Sequence, residues 1–314
     1  MPEPSLRYAS SYHAPVLVDA VLDGLCPERG GVYLDGTLGG GGHAEALLER
    51  GPAARLLGVD QDADALRAAG ERLARFGERV RLVAANFADA VAAAGVAPGS
   101  LAGALLDLGV SSHQIDRLER GFSFRSGAPL DMRMHAAAGP TAAELLNGLD
   151  EAELADIFWR YGEERRARRL ARALVARRAE RPFATSDDLL AALQRALGPR
   201  LEAQDKARLF QALRIAVNRE LEVLEAALPR LRDALAAGGV LAVLAYHSLE
   251  DRVVKEAFRE WSRACTCPPR LPICACGGVA LGETLTRKPV FADAAEVVAN
   301  SRARSARLRL WRKA

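Results

Sequence analysis

Along the first hundred residues, short apolar runs alternate with stretches of helical spacing. Apolar positions from Val16 to Leu25 recur at three- and four-residue intervals and predict a helix. Gly31-Val32-Tyr33-Leu34-Asp35 predicts a short buried strand, and His43 to Glu49 restarts a helix. Arg55 to Asp60 predicts a second strand that ends in an acid, and Ala63 to Phe76 a helix. Val80 to Ala84 and Leu101 to Leu108 supply a third and a fourth strand. Near-continuous apolar strands, alternating with helices, predict an α/β fold: a doubly wound parallel sheet with helices on both faces.

The alternation stops after Leu108. Gly109 to Met134 is rich in Gly, Ser, Arg and Asp with no sustained period. That is too long for an ordinary connection and marks a functional loop or a domain junction. From Thr141 to Leu213 every segment reads helical: Thr141 to Asn147, Glu151 to Tyr161, Glu163 to Arg181 and Ser186 to Leu197. Thr141-x-x-Glu144 and Ser186-Asp187-Asp188 have the chemistry of helix N-termini. The expected organisation is an all-α domain at 137–213 inserted into a sheet domain made of 1–136 and 214–314. Asp205 to Ala236 reads as one long amphipathic pattern closed by Gly238-Gly239. Val240 to Ala245 predicts a fifth parallel-type strand and Leu249 to Trp261 a helix, with last strands near Leu281 to Arg287 and Arg307 to Trp311.

Composition narrows the class. With 314 residues, 50% hydrophobic and 26% charged, the chain has an ordinary globular profile, which excludes disordered and collagen-like classes. No apolar run approaches the ~20 residues needed to cross a bilayer. Met1 to Ser11 is polar and has no apolar signal core, so a cytoplasmic location is expected. The net charge is only +3, but it hides basic clusters. Arg160 to Arg181 holds nine Arg and three Glu, and Arg165, Arg168, Arg169 and Arg172 share one helical face. The tail adds Arg302, Arg304, Arg307, Arg309, Arg312 and Lys313. Such a run is ordinarily a solvated helix face; in a chain otherwise near neutral it points to RNA phosphates. The loop Arg117 to Met134 offers Phe122, Phe124, Arg125 and Arg133 for stacking and phosphate contact.

Four of the five cysteines form Cys265-x-Cys267-x6-Cys274-x-Cys276, and Cys26 stands apart as an expected buried apolar residue. A four-thiolate zinc site is one reading, although C-x-C is tighter than the usual C-x2–4-C pair. Reduced thiols and a redox-labile disulfide stay open beside it.

The strongest chemical signal is strand, Asp35, a glycine-rich turn, helix, strand, Asp60. Glycines allow a sharp turn and close approach of a ligand, and the following helix offers free N–H groups. An acid ending the second strand is placed to accept ribose hydroxyls. The dinucleotide fingerprint fits only in its relaxed form, from Gly39 to Ala44, and no phosphate-loop Lys is present. Asp35, Thr37, Gly39 and Gly41 instead resemble the acid-x-Gly-x-Gly-x-Gly turn of S-adenosylmethionine methyltransferases, with Thr37 departing from the pattern. Asp107, ending the fourth strand, is expected at the same crevice. Tyr246, His247 and Ser248 follow the fifth strand, and His247 is a candidate for orienting the substrate.

Five ordered segments resemble the bacterial small-subunit (16S) ribosomal RNA cytosine-N4 methyltransferase family. They are His13 to Leu17; Asp35-Gly36-Thr37 through Gly41-Gly42-His43; Leu106 to Ser112; Gly121 to Phe124 with Pro129 to Met134; and His247 to Arg252. Shorter similar stretches are Tyr161 to Glu164, Arg214 to Leu221 and Arg302 to Ser305. The resemblance implies a class I S-adenosylmethionine methyltransferase fold, Rossmann-like, with a helical insert that recognises RNA. It implies methylation of a cytosine N4 amine in the decoding region of 16S ribosomal RNA, within the 30S subunit. By motif it carries over Gly41, Gly42, His43, Asp60, Phe87, Asp107 and Gln114 as S-adenosylmethionine contacts. The Asp/Asn-Pro-Pro-aromatic segment of many amino-methyltransferases is absent: Asp107-Leu108-Gly109-Val110 stands there instead. Asp107 and His247 remain the catalytic candidates. A methyltransferase with another target, an RNA-binding factor without chemistry, and either a monomer or a homodimer stay open at this stage.

Overall fold

The computed structural model describes residues 7–9, 14–110, 115–135, 139–265, 267 and 276–314. The chain divides into two compact units, one formed by 1–109 with 221–314 and the other by 110–220.

In the first unit the strands are β1 (Gly31–Asp35), β2 (Ala54–Asp60), β3 (Val80–Ala84), β4 (Leu101–Asp107), β5 (Leu235–Ala245), β6 (Gly282–Thr284) and β7 (Arg307–Lys313). They form one sheet in the order β3-β2-β1-β4-β5-β7-β6. The first five strands are parallel, and β7 runs antiparallel to β5 and β6. The chain moves outward from β1 to β3 and then returns to the other side of β1 with β4. This reversal opens a crevice at the carboxyl ends of β1 and β4, where doubly wound sheets bind ligands.

The period of two along the strands separates two apolar layers. Val240, Ala242 and Leu244 of β5 join Leu22, Leu47 and Leu56 on one face. Leu241, Val243 and Ala245 join Leu106, Leu228, Phe258 and Trp311 on the other. Trp261 and Trp311 pack edge to face at 5.2 Å, and Trp311 Nε1 donates to Ser262 Oγ at 3.1 Å. Each large aromatic so buried contributes on the order of 2 kcal/mol.

In the second unit the helices are Ala142–Gly148, Glu151–Arg160, Ala167–Glu180, Ser186–Leu197 and Ala203–Asn218. Reciprocal capping boxes begin the first, second and fourth, at Thr141/Glu144, Asp150/Glu153 and Thr185/Asp188. Each is worth roughly 1 kcal/mol. The cap of the fourth is Thr185 rather than Ser186, whose hydroxyl donates to the Arg125 carbonyl at 2.6 Å. Leu130 and Met132 lie in the same core as Leu170, Leu193 and Leu213. The irregular stretch before the helices therefore packs as part of this unit. The expected boundaries at 136/137 and 213/214 fall inside it.

The long pattern Asp205 to Ala236 is two helices, not one. Arg219 takes a left-handed backbone (φ 50°), and a second helix, Glu220–Ala234, follows. Arg214 bridges the break with two 2.9 Å bonds to the Glu220 carboxylate. Gly238-Gly239 does not close a helix, because β5 already begins at Leu235. A Cβ on Gly239 would lie 2.8 Å from the Leu101 carbonyl, so glycine lets β4 and β5 approach. Among the described residues, no helix is long and apolar enough to cross a membrane.

Candidate active site

The glycine turn after β1 is knitted to its neighbours by backbone bonds. Gly36 N–H donates to the Leu105 carbonyl at 2.9 Å, and Leu38 N–H to the Val59 carbonyl at 3.0 Å. Asp35 Oδ1 accepts the Thr37 N–H at 3.1 Å. The Thr37 hydroxyl accepts the Asp107 N–H at 2.6 Å and so ties the turn to the end of β4. That contact gives a physical reason for threonine where the motif has glycine. Gly41 sits at φ 76°, and a Cβ there would press on Ala69 at 3.3 Å. A Cβ on Gly42 would meet Pro15 at 2.9 Å. Both glycines let the helix Gly42–Arg50 start tight against its surroundings, with its first N–H groups at the turn.

Asp60 ends β2 and faces the same turn. Its Oδ2 accepts the Gly39 N–H at 2.8 Å, and its Oδ1 the Asp62 N–H at 2.9 Å. The Gln61 N–H is a third backbone donor to it, and a carboxylate has about four acceptor sites, so acceptor capacity remains for a ligand. Burial raises the Asp60 pKa, against those backbone bonds. Burial also lifts Asp35 to about 7. Among the described residues, no Arg or Lys pairs with Asp35 or Asp60.

Asp107 is held between two side chains. Tyr246 Oη donates to its Oδ1 at 2.8 Å, and His43 Nδ1 lies 3.5 Å from its Oδ2. His43 Nε2 is 2.8 Å from the Val16 carbonyl, which only accepts, so Nε2 carries the proton. Burial lowers the His43 pKa and keeps the ring neutral, leaving Nδ1 a lone pair that faces Asp107. Two lone pairs meet unless a proton lies between them. Burial lifts Asp107 to about 7, against the Tyr246 bond, so that proton is available near neutral pH. Tyr246 is itself held well above its ordinary pKa, first by burial and then by Asp107.

His247 is turned into its own helix, Ser248–Trp261. Its ring Nδ1 accepts the Glu250 N–H at 3.4 Å, and its Nε2 lies 3.1 Å from Glu250 Oε1. Glu250 Oε2 in return accepts the N–H groups of Tyr246 and His247 at 2.9 and 3.3 Å. The residue that reaches Asp107 is Tyr246, one position earlier. Phe87 stands beside the turn: a methyl on Gly36 would sit 3.3 Å from its Cβ. The structure thus groups Gly41, Gly42, His43, Asp60, Phe87 and Asp107 around one turn. Gln114 lies outside the described residues, as do His13, Ser111, Ser112 and Cys274.

Within the second unit, a cavity of about 540 Å³ is lined by Phe122, Ser123, Phe124, Arg125, Phe210 and Arg214, among others. Phe124 meets Phe210 edge-on at 5.8 Å, and the buried Ser123 hydroxyl has no hydrogen-bond partner among the described residues. Arg133, expected at phosphate, instead forms a bidentate pair with Asp131 at 2.8 and 2.9 Å. On the helix Ala167–Glu180, Arg168 and Arg169 are exposed, as is Arg165 just before it. None of the three has an ion pair among the described residues. Arg172 lies 3.5 Å from Glu151.

Half of the basic tail has a structural task. Arg309 is buried and bonded twice to Asp251, at 2.6 and 3.1 Å. Arg312 pairs with Glu283 across the antiparallel β6–β7 pair, and Lys313 donates to the Asp233 and Leu235 carbonyls. A cationic strand beside acidic neighbours reads the same in sequence as one open to RNA. Only the sheet pairing separates them.

Parallel strands in this order, around a glycine turn with an acid ending each of β1, β2 and β4, define a class I methyltransferase sheet of the Rossmann-like kind. Over residues 10–314 the chain matches the MraW methylase family, and it belongs to that family. It is 54% identical over 306 residues to the ribosomal RNA small subunit methyltransferase H of Gemmatimonas aurantiaca, covering 97% of this chain and 96% of that protein. The proteins of the same name from Geobacter sp. strain M21 and Symbiobacterium thermophilum are each 50% identical, covering 96% and 95% of this chain and 98% and 95% of theirs.

Proposed function

We propose that this chain methylates ribosomal RNA of the small subunit, on the N4 amine of a cytosine in the decoding region. Family membership and the names of its relatives support the reaction class. The observation that carries it is the placing of Asp35, Asp60 and Asp107 at the carboxyl ends of three neighbouring strands around one glycine turn.

S-adenosylmethionine supplies a methyl group on a cationic sulfonium. The residues present fit it: Asp60 has acceptor sites left for ribose hydroxyls, and Asp35 and Asp60 bring buried negative charge without an arginine or lysine counterion. Phe87 would line the adenine side, Gly41 would let the backbone approach the ligand, and the N–H groups of Gly42 and His43, at the start of the helix, would take its polar end. Gln114 joins this set through the resemblance alone.

The exocyclic amine of cytosine is a poor nucleophile because its lone pair is delocalised into the ring. An acceptor aligned with one amine N–H draws the lone pair out of conjugation. Asp107 is that acceptor, and Tyr246 fixes the carboxylate's orientation. His247 acts through Glu250, which grips the Tyr246 N–H. The exposed Arg165, Arg168 and Arg169 hold RNA phosphates, and the Phe122–Phe124–Phe210 cavity offers aromatic faces to bases. The substrate is the 30S subunit in the cytoplasm.

Incubation with methyl-labelled S-adenosylmethionine and either naked 16S RNA or 30S particles, followed by nucleoside analysis, tests this reading. The expected product is N4-methylcytidine, formed faster on 30S particles. Label in protein, in another nucleoside, or nowhere would overturn it.

A further inference from the structure

The cysteine cluster lies in the first unit. The helix Ser248–Trp261 ends at Trp261, and the chain returns so that the Leu281 N–H donates to the Trp261 carbonyl at 2.9 Å. This bond closes a loop whose two arms run side by side. Gly277 turns in the left-handed region at φ 56°. A Cβ on the next residue, Gly278, would lie 2.2 Å from the Ala264 carbonyl. Only glycine allows that approach, and its effect is to bring Cys276 back over Cys265.

The three thiols of Cys265, Cys267 and Cys276 all lie within 4.8 Å of one another. None is in a disulfide; Cys265 and Cys276 are exposed and Cys267 is half-buried. The Sγ atoms of Cys265 and Cys276 are 3.8 Å apart. A disulfide would need about 2.05 Å. A tetrahedron of thiolates about 2.3 Å from zinc has sulfur–sulfur edges of about 3.8 Å. Three thiols do not gather at a surface for apolar burial, since none belongs to a buried core cluster. Cys274 lies outside the described residues, and the site is drawn from the other three.

We propose that Cys265, Cys267 and Cys276 bind a zinc ion that staples the loop between the helix Ser248–Trp261 and β6. Each thiol releases its proton on binding, so the metal is held by thiolates and affinity falls as pH drops. The ion is structural: its thiol ligands come from both arms of the loop that the Leu281–Trp261 bond closes. C-x-C spacing is compatible with this because the third ligand comes from the returning arm, not from a regular knuckle.

The test uses full-length protein purified under reducing conditions from zinc-supplemented cells. Elemental analysis is expected to give about one zinc per chain. Cys265→Ser and Cys276→Ser are each expected to lose most of it, while Cys26→Ser keeps it. Chelation of the wild-type protein and reloading with cobalt is expected to give a sulfur-to-cobalt charge-transfer band and intense visible bands of tetrahedral type. This readout needs no substitution and holds even if a variant misfolds. Wild-type protein without zinc and without the cobalt band would overturn the proposal. So would equal zinc loss in Cys26→Ser, or an intact mass short of two hydrogens in protein purified under reducing conditions.

Discussion

The acids around the glycine turn and the buried acids of the helical unit are treated in opposite ways. In the helical unit every buried acid among the described residues meets an arginine: Glu164 with Arg208 and Arg166, Asp188 with Arg177, and Glu220 with Arg214. Burial pushes Glu164 up, but the Arg166 N–H and the Arg208 guanidinium outweigh it and its pKa ends low. Asp188 ends low for the same kind of reason, with the Thr185 and Ala184 N–H groups outweighing burial. In the sheet unit, Asp35 and Asp107 rise to about 7 and Asp60 also rises. Acids matched by an arginine hold a structure together; Asp35 and Asp60, held by backbone N–H groups, remain available to a cationic or hydrogen-bonding ligand.

The sharpest way to break this contrast is to remove one acid of each kind. Asp107→Ala is expected to lower methyl transfer by ~100-fold or more while the protein stays folded. Asp60→Ala is expected to weaken S-adenosylmethionine binding by ~10-fold or more, read by titration calorimetry. Asp188→Ala should do the reverse: a loss of about 1–3 kcal/mol in urea unfolding, with cofactor affinity unchanged. Loss of cofactor binding in Asp188→Ala would erase the distinction.

The pH dependence sharpens the same point. A folded pKa near 7, against an ordinary 3.8, means that Asp107 binds a proton more tightly in the native state. Its contribution to stability is full below pH ~4 and is lost as pH rises through ~7. The difference in unfolding free energy between wild type and Asp107→Asn should therefore shift in favour of the variant across that window and level off above it. Methyl transfer by the wild type, which needs the carboxylate, should rise over the same range. The smallest effect is expected at His247. Asn substitution preserves an N-cap and should leave kcat within a few-fold, whereas Ala costs roughly 1 kcal/mol of stability. A larger fall in kcat for His247→Asn with unchanged stability would make His247 a direct participant.

Much of the sheet unit was legible because parallel strands write themselves as apolar runs, as in Leu101 to Leu108. Asp35, Asp60 and Asp107 were legible as strand-terminal acids. Three features were not. Arg219 breaks a helical pattern without the glycine that usually announces a left-handed residue. Leu235 to Ala237 has helical composition but is drawn into β5 by pairing with β4. Tyr246 meets Asp107 across 139 positions of sequence, and no local pattern encodes that contact. Arg309 was misread for the same reason: its partner Asp251 lies 58 residues away.

The separation of β4 from β5 has a consequence for how the molecule is made. These neighbouring strands flank the whole helical unit, so Leu105 cannot meet Ala242 until that insert has been synthesised. At roughly 5–20 residues per second on the ribosome, the nascent half-sheet waits for several seconds or more with the exposed edge of β4 unpaired. The insert has its own core and capping boxes and can complete itself in that interval. Order of emergence, and not thermodynamics alone, therefore favours a finished helical lobe before β5 joins β4 and Tyr246 can reach Asp107.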